Sequence, residues 1–146
     1  MHRFIRRSLP GLALLIGVAS SVSRASEAPL PWNSSEVVAI TEELSTTLRE
    51  LLADPGLRAQ QTTAYEQRHH EVAIAVVKQV QPRVAELRKR VVSSQDREVS
   101  RPYFERVAEL REEIAIYAEQ SSLPDATREK ANRARALFDQ LARFYD

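Results

Sequence analysis

Residues 65–91, YEQRHHEVAIAVVKQVQPRVAELRKRV, decide the fold class. Tyr65, His69, Val72, Val76, Val80, Val84, Leu87 and Val91 recur at steps of three and four, the spacing that lines one side of an α-helix. Inside this stretch, Val72-Ala73-Ile74-Ala75-Val76-Val77 is rich in β-branched residues and would suit a buried strand on its own. The helical period on both sides overrides that preference. Pro82 removes one backbone ladder bond, yet the apolar phase before it continues after it. The stretch therefore reads as one long helix kinked near Pro82, in preference to two helices.

Upstream, Asn33 or Ser34 supplies a cap with Glu36 in the first turn, and Val37, Ile40, Leu44, Leu48 and Leu51 define an amphipathic helix. Asp54-Pro55-Gly56 stops it and makes a tight connection. Downstream, Ser93-Ser94-Gln95-Asp96 marks a turn into a third helix, which starts between Asp96 and Pro102 and carries Val99, Tyr103, Val107, Leu110, Ile114 and Tyr117. Ser121-Ser122-Leu123-Pro124 ends that helix and opens a fourth, with Pro124 suited to a first turn. Its apolar side is Ala131, Ala134, Leu137, Phe138, Leu141 and Phe144 or Tyr145.

Four amphipathic helices joined by short polar turns predict an all-α, antiparallel up-down four-helix bundle over residues 35–146, preceded by an extended lead-in over 26–34 that Trp32 pins. Lengths complicate the picture. At 1.5 Å per residue, about thirty-five residues of helix two span about 50 Å, against roughly 30 Å for helix one. Part of helix two must project, bend at Pro82 or pack on a partner.

The first twenty-five residues read as an export signal. Arg3, Arg6 and Arg7 give a positive start, Leu9–Ala19 a short apolar core, and Ser23-Arg24-Ala25 small residues at the two positions a signal peptidase reads. The core contains Pro10 and Gly11 and runs about eleven residues, whereas spanning a bilayer as a helix takes roughly twenty. Cleavage after Ala25 is the preferred reading over an uncleaved anchor. An exit after Ala28 would put the constrained ring of Pro29 beyond the scissile bond. One Arg6-Arg7 pair is weak support for a twin-arginine route. The expected product is periplasmic or secreted, with no stable membrane anchor.

Composition then narrows the function classes. The chain has 21 basic and 20 acidic residues, and removal of the leader takes away four arginines and no acids. The mature domain is thus weakly acidic, without the concentrated basic face that nucleic-acid binding requires. The chain has no cysteine, and its single methionine is Met1. Disulfides, thiolate metal sites and thioether ligands are excluded. Gly56 is the one glycine past the leader, so a glycine-rich phosphate loop is excluded as well.

One cluster invites a site reading. Glu66 and His69 form a Glu-x-x-His step, with His70 next to it, which puts carboxylate and imidazole on neighbouring turns. Carboxylate-bridged dimetal bundles use two such steps plus two further glutamates, and this chain has one step. A divalent metal or haem held by Glu66, His69 and His70 is the sharper reading. An edge histidine and an ordinary i, i+4 pair between Glu66 and His70 is the blander one. Projection at 100° per residue points His69 into the apolar stripe and His70 to its edge. Arg88-Lys89-Arg90, with Arg83, Arg97 and Arg101, is either an anion or membrane patch or a solvated face near a helix C-terminus. The 72–77 run, apolar on nearly every side, implies central burial or a homodimer contact. No hydroxyl has a paired base, so the expectation is a non-enzymatic exported bundle acting on a protein partner or on itself.

Overall fold

The computed structural model describes residues 28–118 and 121–146, with the side chains of Tyr117 and Ala118 left aside. The leader over 1–25, its Ala25 exit and the packing of Tyr117 lie outside what is described. Among the described residues there are four α-helices, α1 (Ser34–Ala53), α2 (Ala64–Ser94), α3 (Arg97–Ala118) and α4 (Asp125–Ala142), with a short 3-10 helix at Pro55–Arg58 and no strand. No described helix is long and apolar enough to cross a membrane.

Local chemistry sets the helix ends. Asn33 caps α1 through Oδ1, which accepts the Glu36 N–H at 3.2 Å. Pro55 cannot continue the helix, and Asp54 turns to cap the 3-10 segment by accepting the Gly56 N–H at 2.8 Å. Thr63 and Glu66 form a reciprocal capping box on α2, with bonds of 3.1 and 3.0 Å. At its far end Gln95 adopts the left-handed conformation, φ 55°, and returns its N–H to Val91. The run 72–77 is helical, and α2 continues through Pro82.

The core draws on all four helices. Val37, Leu44 and Leu48 of α1, Val80, Val84, Leu87 and Val91 of α2, Val107 of α3, and Leu137, Phe138 and Leu141 of α4 form one buried cluster. Helix α2 packs closely on α1 and α3, and α1 on α4, while α3 and α4 approach each other little. Among its described side chains α3 buries only Ser100 and Val107, and its Tyr103, Phe104, Leu110 and Ile114 are half-buried.

The apolar stripe of α2 differs from the sequence reading in its first half. The buried residues are His70, Ala73, Val76, Val77, Val80, Val84, Leu87 and Val91, whereas Tyr65 is 62% exposed and Val72 is half-buried. His70, Ala73, Val77, Val80, Val84, Leu87 and Val91 alternate steps of three and four, a 3.5-residue period. Traced back from Val91, that period lands on His70 and Ala73. A small and a polar residue there leave no hydrophobic signature, so the pattern passed instead through the larger Val72 and through His69, one position away.

The surplus length of α2, about 46 Å against about 30 Å for α1, is covered by the linker. Leu57 and Gln61 are both buried. Gln61 donates to the carbonyls of Ala59 and Ser122, each at 3.0 Å, and accepts the Ser122 N–H at 2.7 Å. It thereby ties this linker to the α3–α4 connection.

At the opposite end the lead-in straps the bundle. The Leu30 N–H donates to the Arg143 carbonyl at 2.7 Å, and Trp32 Nε1 donates to the Gln95 carbonyl at 3.0 Å. Tyr145 follows α4 and is stacked on Phe104 with ring centroids 4.3 Å apart, while Trp32 meets its edge at 5.3 Å. Its hydroxyl shares a 2.9 Å hydrogen bond with the buried Ser100. Burial pushes the Tyr145 phenol above its ordinary value, with the Ser100 bond opposing.

Gly56 sits where the 3-10 helix meets α4. A Cβ at this position would overlap Thr127 Oγ1 and crowd Asp54 and Pro124. Gly56→Ala is expected to lower unfolding free energy by about 1–3 kcal/mol in urea titrations. The cost shrinks in a Thr127→Ala background, where the obstructing hydroxyl is gone.

Candidate functional site

The structure gives the three residues of the histidine cluster different tasks. Glu66 is occupied at the start of α2, its carboxylate accepting the Thr63 N–H. His69 is half-buried, its ring tilted against Tyr65 at 4.2 Å. His70 is 3% exposed and donates from Nε2 to the Leu57 carbonyl. The expected orientations are thus exchanged: His70 points inward and His69 lies at the edge. The reason is the 3.5-residue seam described above, which brings position 70 under the linker.

The partner of His70 also fixes its chemistry. A carbonyl oxygen only accepts, so Nε2 carries the proton and offers the linker an N–H, with no lone pair at that atom. Among the described residues no three His, Cys, Asp or Glu side chains gather closely enough to hold a metal ion. In this conformation the turn works as a fastener between α2 and Leu57.

A second polar cluster, at the same end of the bundle, was read from the sequence only as a helix stop. The Asp54 side chain is 10% exposed and contacts three partners: the Gly56 N–H, the Thr127 hydroxyl at 3.3 Å, and Lys130 through an ion pair. The Lys130 ammonium, then the Gly56 N–H and the Thr127 hydroxyl, hold the Asp54 carboxyl below the usual carboxylate range, against the opposing effect of burial. The arrangement joins the end of α1 to the first turns of α4. Lys130 and Thr127 carry no local sequence signal for this role, since Asp54 lies more than seventy residues away.

Five of the six basic residues from Arg83 to Arg101, Lys89 being the other, have individual partners. Arg83 pairs with Glu86 at 3.4 Å and Arg88 with Glu42 at 3.6 Å. Arg90 donates to the Tyr103 hydroxyl at 2.6 Å and lies over its ring. Arg97 and Arg101 bind the carbonyls of Asp146 and Tyr145, at 2.9 and 2.6 Å. Four of these guanidinium groups therefore brace α2, α3 and the end of α4 against neighbouring elements, and Arg83 is engaged within α2 itself.

Two depressions open at the ends of the bundle. One, of about 440 Å³, lies between the lead-in, Gln95 and Phe144; the other, of about 540 Å³, is lined by Arg58, Gln60, Thr62, Thr63 and Gln67. Both are shallow, and Ser34 and Glu36 also line the first.

Two measurements test these assignments. His70→Ala should lower stability by about 1–3 kcal/mol, because it leaves the Leu57 carbonyl without its donor and opens a void. His69→Ala should cost less than about 1 kcal/mol. For Asp54 the folded-state pKa lies below the unfolded value, so its contribution is complete above that value and is lost as pH falls through the folded one. The stability gap between the wild type and Asp54→Asn, followed by denaturation at stepped pH, should be largest near neutrality and close below pH 3.8.

No protein-family model, no curated protein and no solved structure matches this chain.

Proposed function

We propose that the chain is an exported helical-bundle protein that acts by binding protein surfaces and not by catalysis. The observation that carries this reading is the leader pattern. Three arginines, a short apolar core and a Ser-x-Ala exit stand ahead of a domain without cysteine. Export sends that domain to an oxidising compartment where it relies on packing alone. Its polar groups also support the reading. The histidine turn, the Asp54 cluster and arginines 88, 90, 97 and 101 serve to fasten elements to one another, while Tyr65, Val92 and Ile116 leave apolar side chains more than half exposed.

An antiparallel up-down order belongs to the same proposal. Its support lies at the two ends: Trp32 before α1 reaches Gln95 after α2, Leu30 reaches Arg143 after α4, and Asp54 after α1 reaches Lys130 early in α4. A bend near Pro82 is supported by the ring itself, which sits on the exposed side of α2 and lacks the N–H that would close the turn.

The test is expression of the full chain in a Gram-negative host, followed by fractionation and intact-mass measurement. The expected product begins at Ser26 and is released with the periplasmic fraction. A full-length product retained in the cytosol overturns export. Photo-crosslinking residues at positions 65, 92 and 116 of the exported protein should give discrete protein adducts, and their failure at all three positions overturns the interaction reading.

A further inference from the structure

The outward face of α3 has an internal symmetry, and one of its side chains, Arg106, also lies over the half-buried Tyr103 ring, 5.8 Å from its centroid. Val99, Pro102, Arg106, Glu109, Glu113 and Ile116 are all exposed and follow one another at alternating steps of three and four. At 100° per residue they fall within about a third of the helix circumference, turned away from the Ser100 and Val107 face that enters the core. Val99 and Ile116, 44% and 65% exposed, close the two ends of this stripe. Between them the charge changes sign at the middle, with Arg106 on one side and Glu109 on the other.

Such a stripe is complementary to itself when reversed. With two copies of α3 laid antiparallel about a two-fold axis between positions 107 and 108, Val99 of one copy faces Ile116 of the second. Pro102 then faces Glu113, and Arg106 faces Glu109. Every pair occurs twice, as a closed two-fold contact requires. The two arginines and two glutamates alternate around the axis, so each charge has opposite neighbours across it. The parallel arrangement sets Arg106 against Arg106 and Glu109 against Glu109, and is disfavoured.

From this we infer that α3 is a self-association surface, and that its occupant is α3 of a second copy in antiparallel register. The inference rests on the interaction reading above and names one partner for it. A single helix pair lies below the roughly 1,200 Å² of standard assemblies, so the dimer is weak and forms in the micromolar to millimolar range. The half-buried Leu110 and Tyr103 border the stripe on its core side and lose further water when the second copy docks.

The chain contains no cysteine, which makes the register directly testable. Val99→Cys and Ile116→Cys are prepared as separate proteins, each checked for native helicity, and oxidised alone and mixed at equal concentration. The antiparallel register predicts a disulfide-linked dimer chiefly in the mixture, because positions 99 in the two copies stand about 25 Å apart along the axis. Equal yields in the mixture and in the single-variant samples overturn it. Light scattering and sedimentation of the wild type should show mass rising with concentration. A monomer at about 1 mM overturns the self-pairing and leaves binding to a different protein standing. Arg106→Glu and Glu109→Arg should each weaken association about tenfold or more, since either change places like charges together twice, and the double exchange R106E/E109R should restore it. Failure of the double exchange to recover association overturns the proposed pairing.

Discussion

The seam of α2 is the constraint on which the other elements depend. From His70 to Val91 a continuous row of side chains must be kept from water, and Val80, Val84, Leu87 and Val91 are fully enclosed. No isolated helix covers such a row, and most of the stability of helices in folded proteins comes from burying this kind of face. Helices α1 and α3 both pack on α2, and α4 reaches the shared core through its contact with α1. Because α1 is eleven residues shorter than α2, the seam outlasts it. The segment between them therefore does structural work that a simple connection would not.

That mismatch explains where the polar side chains go. At the linker end of α2 the Leu57 carbonyl accepts a hydrogen bond from His70 Nε2, Gln61 holds the α3–α4 connection, and Asp54 draws in Thr127 and Lys130. Apart from Lys130, whose side chain is 41% exposed, these groups are buried or nearly so, and burial of a polar group is tolerable only when its hydrogen bonds are met. At the other end Trp32, Ser100 and Tyr145 form an aromatic plug, with arginines 97 and 101 on the last carbonyls. The bundle is thus fastened at both ends by polar contacts over an apolar middle. The outer face of α3 takes part in neither of these two fastenings.

Much of this was legible in the residues. The helical class, a cap at Asn33 or Ser34 that the structure assigns to Asn33, the break at Asp54-Pro55-Gly56 and a turn within Ser93–Asp96 that the structure narrows to Gln95 and Asp96 follow from short-range chemistry. The continuity of α2 through Pro82 followed from the unbroken apolar phase. The candidate site fared differently. His69 and His70 exchanged their expected positions because projection at 100° per residue follows a straight helix and large apolar groups, whereas a packed seam at 3.5 residues per turn selects small and polar residues as well. The association of Asp54 with Thr127 and Lys130 gave no signal, since it depends on two segments meeting that are distant in the chain.

The sequence by itself determined which segments are helical, where the breaks between them fall to within a few residues, and that the domain has neither thiols nor a phosphate loop. These properties depend on neighbours within a turn or two, or on composition alone. Only the tertiary structure decided which side of each helix is inward, which polar groups are spent as fasteners, and which face remains open. Those outcomes depend on the relative lengths of α1 and α2 and on the linker that makes up the difference, and a helix's own period carries no information about what lies beside it.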